Sequence, residues 1–94
     1  MIADGSEIEC RVAIVTGGSA GIGYAIAKEL ALENVQVVIA ARRPDVLSAA
    51  VLQLQREIDR KVLAVPSDTT DQVAVDRMVE SVIEAYGRVD ILVN

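Results

Sequence analysis

The sequence predicts an α/β domain built on a parallel β-sheet. Short, nearly continuous apolar runs alternate along the chain with segments in which apolar residues recur every three or four positions. The first pattern is typical of strands covered on both faces, and the second of helices with one buried stripe. Together they give the order β-α-β-α-β-α-β. Because crossovers between parallel strands are right-handed and the pattern is doubly wound, the predicted strand order is 3-2-1-4.

The first half of the chain supplies two strands and one helix. Strand one is predicted at Arg11–Thr16, and a glycine-rich turn leads into a helix at Ile22–Glu33. The apolar residues of this helix recur at Ile22, Ile26 and Leu30. Asn34 follows, where a left-handed cap is expected. Strand two is predicted at Val35–Ala40.

The second helix begins at Pro44, because proline suits the first helical position. Its apolar stripe consists of Leu47, Val51, Leu54 and Ile58. Strand three is predicted at Val62–Val65 and is ended by Pro66. Thr69 and Gln72 have the spacing of a capping box for the third helix.

The third helix and the last strand complete the alternation. The apolar stripe of the helix consists of Val75, Val79, Val82 and Tyr86. Gly87 closes the helix, and strand four runs from Val89 to the end of the sequence. The alternation contains no linker, repeat or low-complexity tract, so we expect residues 1–94 to belong to one domain, with residues 1–7 flexible.

Composition excludes several classes of function. The chain has 94 residues, 52% of them hydrophobic, and a net charge of −5. This acidity argues against a nucleic-acid partner, and no apolar run approaches the ~18 residues that span a membrane. The first residues lack the features of a signal peptide, so we expect a cytoplasmic protein.

The absence of histidine and the presence of one cysteine, Cys10, limit the chemistry further. They exclude an internal disulfide, a Cys/His zinc site and a Ser-His-Asp triad. No metal site is expected, and Cys10 is expected to be a small buried residue.

A strand, a glycine turn and a helix start come together in the segment Thr16-Gly17-Gly18-Ser19-Ala20-Gly21-Ile22-Gly23. Glycines allow positive φ and let a phosphate approach the backbone closely. The N–H groups and the dipole of the helix N-terminus then attract the negative charge. A P-loop is excluded because Tyr24 follows the last glycine, and the plain G-x-G-x-x-G fingerprint does not fit either.

The segment matches T-G-x-x-x-G-I-G and thereby resembles the classical short-chain dehydrogenase/reductase family, whose Rossmann fold binds NAD or NADP. The resemblance covers about residues 7 to 94 and implies a partial Rossmann fold in this chain. It implies that the cofactor contacts Gly17, Ser19, Gly21, Ile22 and Gly23.

The end of strand two bears on the choice between NAD and NADP. An acidic residue there would bind the ribose hydroxyls and select NAD. Here Ala41 occupies the matching position, and Arg42 and Arg43 follow. A guanidinium–phosphate hydrogen bond of about 1.5–3 kcal/mol would favour NADP roughly ten- to hundredfold. The alternative is that both arginines only solvate a turn. In addition, many NADP-using relatives carry a basic residue just before the second glycine of the motif, and this chain has Ala20 there.

The resemblance implies further cofactor contacts after strands three and four. Asp68 matches the aspartate whose side chain contacts the adenine amine, and Thr69 the residue that contributes its backbone. The alternative for Asp68 is a turn residue, and for Asp71 we favour a helix cap. Asn94 matches the first residue of the family's N-N-A-G motif, which supports the cofactor.

No catalytic residue is predicted in the chain. Tyr24 and Lys28 have the family's Y-x-x-x-K spacing, but they lie on the phosphate-binding helix, away from the nicotinamide. In relatives, the catalytic asparagine, serine, tyrosine and lysine follow the position of Asn94. We therefore expect the N-terminal part of an oxidoreductase that moves hydride between NADP(H) and a carbonyl or alcohol, inactive as these 94 residues alone.

Two other functions stay open at this point. One is a stand-alone, non-catalytic nucleotide-binding or regulatory module. The other is a piece of an extended-type epimerase or dehydratase, whose glycine spacing usually differs, as T-G-x-x-G-x-x-G. We also expect an exposed apolar edge at Val89, Ile91 and Val93, through which the chain would self-associate. Full-length relatives are expected to be homo-oligomers.

Overall fold

The computed structural model describes residues 11–94 and consists of four strands and three helices in strict alternation. Expectations for residues 1–7 and Cys10 lie outside the described residues. The elements are β1 (Val12–Thr16), α1 (Gly21–Leu32), β2 (Gln36–Ala41), α2 (Pro44–Ile58), β3 (Leu63–Pro66), α3 (Gln72–Tyr86) and β4 (Ile91–Val93). Within residues 11–94, no helix is long and apolar enough to cross a membrane.

The four strands form one parallel sheet of order β3-β2-β1-β4, which confirms the predicted topology. β1 is central, with Ile14 opposite Val38 of β2 and Leu92 of β4. This arrangement places the carboxyl ends of β1, β2 and β3 side by side at one edge of the sheet. The loops that carry the predicted site residues all begin there.

Two apolar clusters cover the two faces of the sheet. Side chains of β1 and β2 alternate between the faces, because successive residues of a strand point to opposite sides. On one face α1 and α2 pack over Val15 and Ile39, and on the other α3 packs over Ile14 and Val38. The strands therefore read as continuous apolar runs, as expected for a sheet covered on both sides.

Strand three extends one residue beyond its predicted end. Pro66 pairs with Ala41 as the last residue of β3, although we expected the proline to stop the strand. Proline cannot donate a ladder hydrogen bond, but β3 lies at the edge of the sheet, where one side of the strand needs no partner.

The buried face of α1 differs from the predicted stripe. Ile22 is 80% exposed, whereas Ala27 and Ala31 are buried against the sheet. The larger residues Tyr24 and Leu30 pack at the margin of the same cluster. Alanine side chains let the helix backbone lie close to the sheet, so the small residues, not the large ones, mark the packed face.

The start of α3 also differs from the prediction, because Asp71 caps this helix instead of a Thr69–Gln72 capping box. The Asp71 carboxylate accepts a hydrogen bond of 3.0 Å from the backbone N–H of Val73. This confirms the interpretation of Asp71 as a cap.

The buried face of α3 includes Met78, which the predicted apolar stripe omitted and which is buried beside Val82.

β4 is shorter than predicted, and Asp90 anchors its start to β1. The Asp90 backbone N–H donates to the carbonyl of Val12 at 2.9 Å, and the Asp90 carboxylate accepts from the Val12 N–H at 2.9 Å. Arg88 donates to both oxygens of that carboxylate, at 2.8 and 2.7 Å.

We predicted that the side chains of Val89, Ile91 and Val93 form an exposed apolar edge, and this prediction is wrong. All three are half-buried, and Val89 and Val93 pack against the two apolar clusters. Leu92, at 50% exposure, is the exposed apolar residue of β4. Self-association through this edge stays a prediction.

We predict that Asp71→Ala lowers the free energy of unfolding by about 1 kcal/mol, because it removes the hydrogen bond that caps α3. Thr69→Ala is the matched control and should change stability little, since Thr69 does not cap the helix. Denaturant unfolding followed by circular dichroism measures both. Equal losses for the two variants would contradict the assignment of the cap.

We also predict that Asp90 contributes to acid unfolding. The Arg88 side chain, followed by the Val12 N–H, holds the pKa of Asp90 below its ordinary value. A depressed folded-state pKa contributes stability that is present above about pH 4 and is lost as the pH falls through the folded pKa.

In Asp90→Asn, the chain should be less stable near neutral pH and should lose less stability on acidification than the parent. Urea unfolding at about pH 7 and about pH 3 measures this difference. Asp76→Asn, which removes an exposed charge on α3, is the control. An acid loss in Asp90→Asn as large as in the parent would contradict the prediction.

Candidate cofactor-binding site

A cavity of about 320 Å³ opens at the carboxyl ends of β1, β2 and β3. Its walls come from three loops: the glycine turn after β1, the basic turn after β2, and the polar segment after β3. The lining residues are Gly17, Ser19, Ala41, Arg42, Arg43, Val46, Ser67, Asp68, Thr69 and Thr70. Segments that are far apart in sequence thus meet at one place, because parallel strands end at the same edge.

The glycine turn needs glycine for two separate reasons. Gly17 and Gly21 have φ values of 70° and 59°, in the left-handed region that residues with a Cβ rarely adopt. Gly23, in the first turn of α1, lies so close to Gly17 that a Cβ would collide with the Gly17 carbonyl group. The helix therefore begins directly against the turn.

The N-terminus of α1 offers its backbone N–H groups to an anion. Ala20 precedes the helix, no side chain of residues 11–94 caps it, and no acidic residue lies in its first turn. The first N–H groups of a helix have no partner within the helix and carry its positive dipole end. With glycine backbone beside them, they fit the pyrophosphate of a dinucleotide.

The predicted cofactor residues fall into two groups by position. Gly17, Ser19, Arg42, Arg43, Asp68 and Thr69 line the cavity. The others lie outside its wall: Gly21, Ile22 and Gly23 form the start of α1, and Asn94 follows β4. The Asn94 side-chain oxygen accepts a hydrogen bond of 3.1 Å from the Thr16 hydroxyl, which ties the end of β4 to the end of β1.

Carboxylates pair both arginines of the basic turn. Arg42 donates to Asp68 across the cavity at 3.1 Å, and Arg43 lies 3.7 Å from Asp45. The sequence identified the lack of an acid at position 41, but the fold brings Asp68 to Arg42 from 26 residues away. The positive charge at this end of the cavity is therefore partly neutralised.

Asp68 uses both carboxylate oxygens. One oxygen accepts from the Thr70 hydroxyl at 2.6 Å and from the Thr70 N–H at 2.9 Å, and the other accepts from Arg42. The Thr70 hydroxyl, the Thr70 N–H and then Arg42 hold the pKa of Asp68 below its ordinary value. Asp68 is thus a charged acceptor at neutral pH, which fits a contact with an adenine amine. That contact stays a prediction.

Sequence reasoning missed Ser67 and Thr70. Ser67 is 8% exposed, its N–H donates to the Ala41 carbonyl at 2.9 Å, and its buried hydroxyl has no partner among the described residues. Buried hydroxyls are rarely left without a hydrogen bond. A serine at the end of an otherwise apolar strand was the available signal in the sequence.

Tyr24 and Lys28 both bind Glu57 of α2 and join the two helices. The Tyr24 hydroxyl donates to Glu57 at 2.5 Å, and the Lys28 ammonium lies 3.6 Å from the same carboxylate. Burial, together with the Glu57 carboxylate, raises the pKa of Tyr24 to about 12. A tyrosine that exchanges protons in catalysis needs a pKa nearer to the working pH. That this pair takes no part in catalysis stays a prediction.

We predict that Gly23→Ala moves the glycine turn and weakens nucleotide binding. The added methyl group meets backbone, so the free energy of unfolding should fall by about 1–3 kcal/mol. Gly87→Ala is a control of similar cost, about 1–2 kcal/mol, because Gly87 has a φ of 82° but open space around it.

Calorimetric titration with NADPH separates the two variants. Gly23→Ala should bind NADPH at least about tenfold more weakly, because this substitution displaces the glycine turn from its position. Gly87→Ala leaves the turn in place and should bind NADPH like the parent. Equal affinities in both variants would argue against phosphate binding at this turn.

Comparison with known proteins identifies the family. The family model described as short chain dehydrogenase matches residues 11–94. An uncharacterized oxidoreductase of Staphylococcus haemolyticus is 44% identical over 89 residues, which cover 95% of this chain and 37% of that protein. The chain thus spans little more than a third of this relative.

Solved structures agree in fold. L-sorbose reductase from Gluconobacter frateurii, in complex with NADPH and L-sorbose, is 42% identical with a TM-score of 0.83, over 90% of this chain and 32% of that one. A short chain dehydrogenase from Mycobacterium smegmatis is 35% identical with a TM-score of 0.84, over 90% of this chain and 36% of that one. With the family model matched from β1 to β4, this chain belongs to the short-chain dehydrogenase/reductase family.

Proposed function

We propose that residues 11–94 bind NADP(H) in an oxidoreductase that moves hydride between this cofactor and a carbonyl or alcohol substrate. The observation that carries the proposal is the composition of the cavity at the ends of β1, β2 and β3. Gly17, Ser19 and Arg42 line this cavity, and no acidic residue stands at the end of β2. The N-terminus of α1, which no side chain of residues 11–94 caps, begins directly against Gly17 in the cavity wall.

Each part of the cofactor has candidate partners in this cavity or at the start of α1 beside it. The N–H groups at the start of α1 and the backbone of Gly17 and Ser19 would hold the pyrophosphate. Arg42 and Arg43 would bind a 2′-phosphate, since guanidinium groups form strong hydrogen bonds with phosphate. Asp68 would accept from the adenine amine. The nicotinamide, when bound, supplies or accepts the hydride.

The likeness to the NADPH complex of L-sorbose reductase supports NADP(H) as the cofactor. The pairing of Arg42 with Asp68 limits how large the preference over NAD(H) can be, because the arginine is exposed and already neutralised in part. We therefore place the preference near the low end of the range expected from the sequence, at about tenfold.

We further propose that proton transfer belongs to residues of the whole enzyme outside this chain. Tyr24 and Lys28 both bind Glu57, and burial with Glu57 raises the pKa of Tyr24 to about 12, so this pair does not suit proton transfer at the nicotinamide. The second candidate is a non-catalytic nucleotide-binding or regulatory module, and the binding of Tyr24 and Lys28 to Glu57 fits it equally well. Both candidates bind the cofactor and differ only in whether the whole protein turns it over.

We predict that the chain binds NADPH more tightly than NADH. Arg42→Ala should lower the affinity for NADPH about tenfold and leave the affinity for NADH nearly unchanged. The physical reason is loss of the guanidinium–phosphate hydrogen bond, which only NADPH can make. Isothermal calorimetry at low salt measures all four affinities.

Arg56→Ala, which removes an exposed charge near the end of α2, is the matched control and should alter neither affinity. Tighter binding of NADH by the parent chain, or unchanged NADPH affinity in Arg42→Ala, would contradict the NADP preference. A folded parent chain that binds neither cofactor would overturn the proposed function.

A further inference from the structure

The ion pair between Arg42 and Asp68 joins two residues that the proposed function uses for different parts of one cofactor. Arg42 follows β2 and would bind the 2′-phosphate, and Asp68 follows β3 and would bind the adenine. In the structure they bind each other at 3.1 Å across the cavity. A ligand that enters this cavity therefore meets a pair, not two independent groups.

We propose that Asp68 is a specificity-determining residue, which weakens the preference for a 2′-phosphorylated nucleotide by competing with that phosphate for Arg42. This inference rests on the proposed function. It concerns how strongly the site discriminates between NADP(H) and NAD(H), and it assigns that property to a residue on a different strand from the arginine.

The charges around the pair determine the direction of the effect. Arg42 is the group that attracts the 2′-phosphate, and the Asp68 carboxylate is a competing anion already in contact with it. The phosphate must share the guanidinium with this carboxylate, and it is also repelled by it. Both effects oppose the 2′-phosphate and leave an unphosphorylated ribose unaffected.

Pre-organisation of Arg42 by Asp68 would act in the opposite direction, but it is the weaker effect. The Arg42 side chain is 71% exposed, so one hydrogen bond to its tip restricts it little. Asp68 itself is firmly held, because Thr70 donates to its other oxygen through both hydroxyl and N–H. The carboxylate is therefore the fixed member of the pair, and the guanidinium is the member that a phosphate can draw away.

The test uses two small nucleotides that differ by one group, adenosine 2′,5′-bisphosphate and 5′-AMP. The ratio of their affinities isolates the 2′-phosphate, since any change in adenine binding cancels. Asp68→Asn keeps the size of the side chain and an oxygen for Thr70, and removes the charge. Calorimetry on the parent, Asp68→Asn, Arg42→Ala and the double variant gives a complete cycle.

We expect Asp68→Asn to raise the affinity ratio about two- to fivefold, the range of an exposed ion pair. In the Arg42→Ala background the same substitution should raise the ratio less, because only the repulsion remains to be relieved. Asp76→Asn, which removes one exposed charge on α3, should leave the ratio unchanged. Circular dichroism confirms that each variant is folded.

The possible outcomes separate this inference from the proposed function. If Arg42→Ala lowers the ratio but Asp68→Asn leaves it unchanged or lowers it, competition by Asp68 is overturned while the role of Arg42 stands. If Asp76→Asn raised the affinity ratio as much as Asp68→Asn, the effect would come from the net charge of the chain, and the inference would also be overturned. If the folded parent binds neither nucleotide, the proposed function falls, and the inference falls with it.

Discussion

The close approach of Gly23 to the Gly17 carbonyl is the contact on which the candidate site depends. It brings the first turn of α1 directly against the turn that ends β1, with no room for a Cβ between them. The helix N-terminus therefore lies at the carboxyl edge of the sheet, and within residues 11–94 no side chain caps it. The Gly17 N–H, bonded to the Ala40 carbonyl at 2.9 Å, ties the same turn to β2.

The second determinant of the site is how charge is distributed around the cavity. Counted along the sequence, the turn after β2 is basic, with Arg42 and Arg43 in succession. In the fold, each arginine lies beside a carboxylate, and one of these carboxylates comes from the loop after β3. If the proposed function holds, selectivity for a 2′-phosphate at this position would depend on Asp68 as well as on Arg42.

The packing of the helices follows residue size as much as apolar periodicity. α2 buries its predicted leucines and valine, because long side chains fill the space between that helix and the sheet. α1 instead buries Ala27 and Ala31 and exposes Ile22, since its start is fixed close to the sheet by the glycine contact. A periodic stripe of large residues indicated that a helix forms there, but it did not indicate which face is buried.

The sequence by itself determined the order of the elements, the parallel sheet of order 3-2-1-4, the glycine turn and the family. These features depend on local patterns: apolar runs, helical spacing, and glycines where positive φ or close approach leaves no alternative. Asn34, with a φ of 66°, and Pro44 at the start of α2 are likewise local and were predicted correctly.

Only the tertiary structure decided the contacts between loops. The pairing of Asp68 with Arg42, the anchoring of β1 by Asp90, and the buried hydroxyl of Ser67 each depend on which strand ends are neighbours and how their side chains point. The cap of α3 shows the same limit at short range, because Thr69 and Asp71 both suit a cap and only backbone geometry chose Asp71. Charge and spacing in a sequence name the candidate groups, but distance and direction in the fold decide which of them interact.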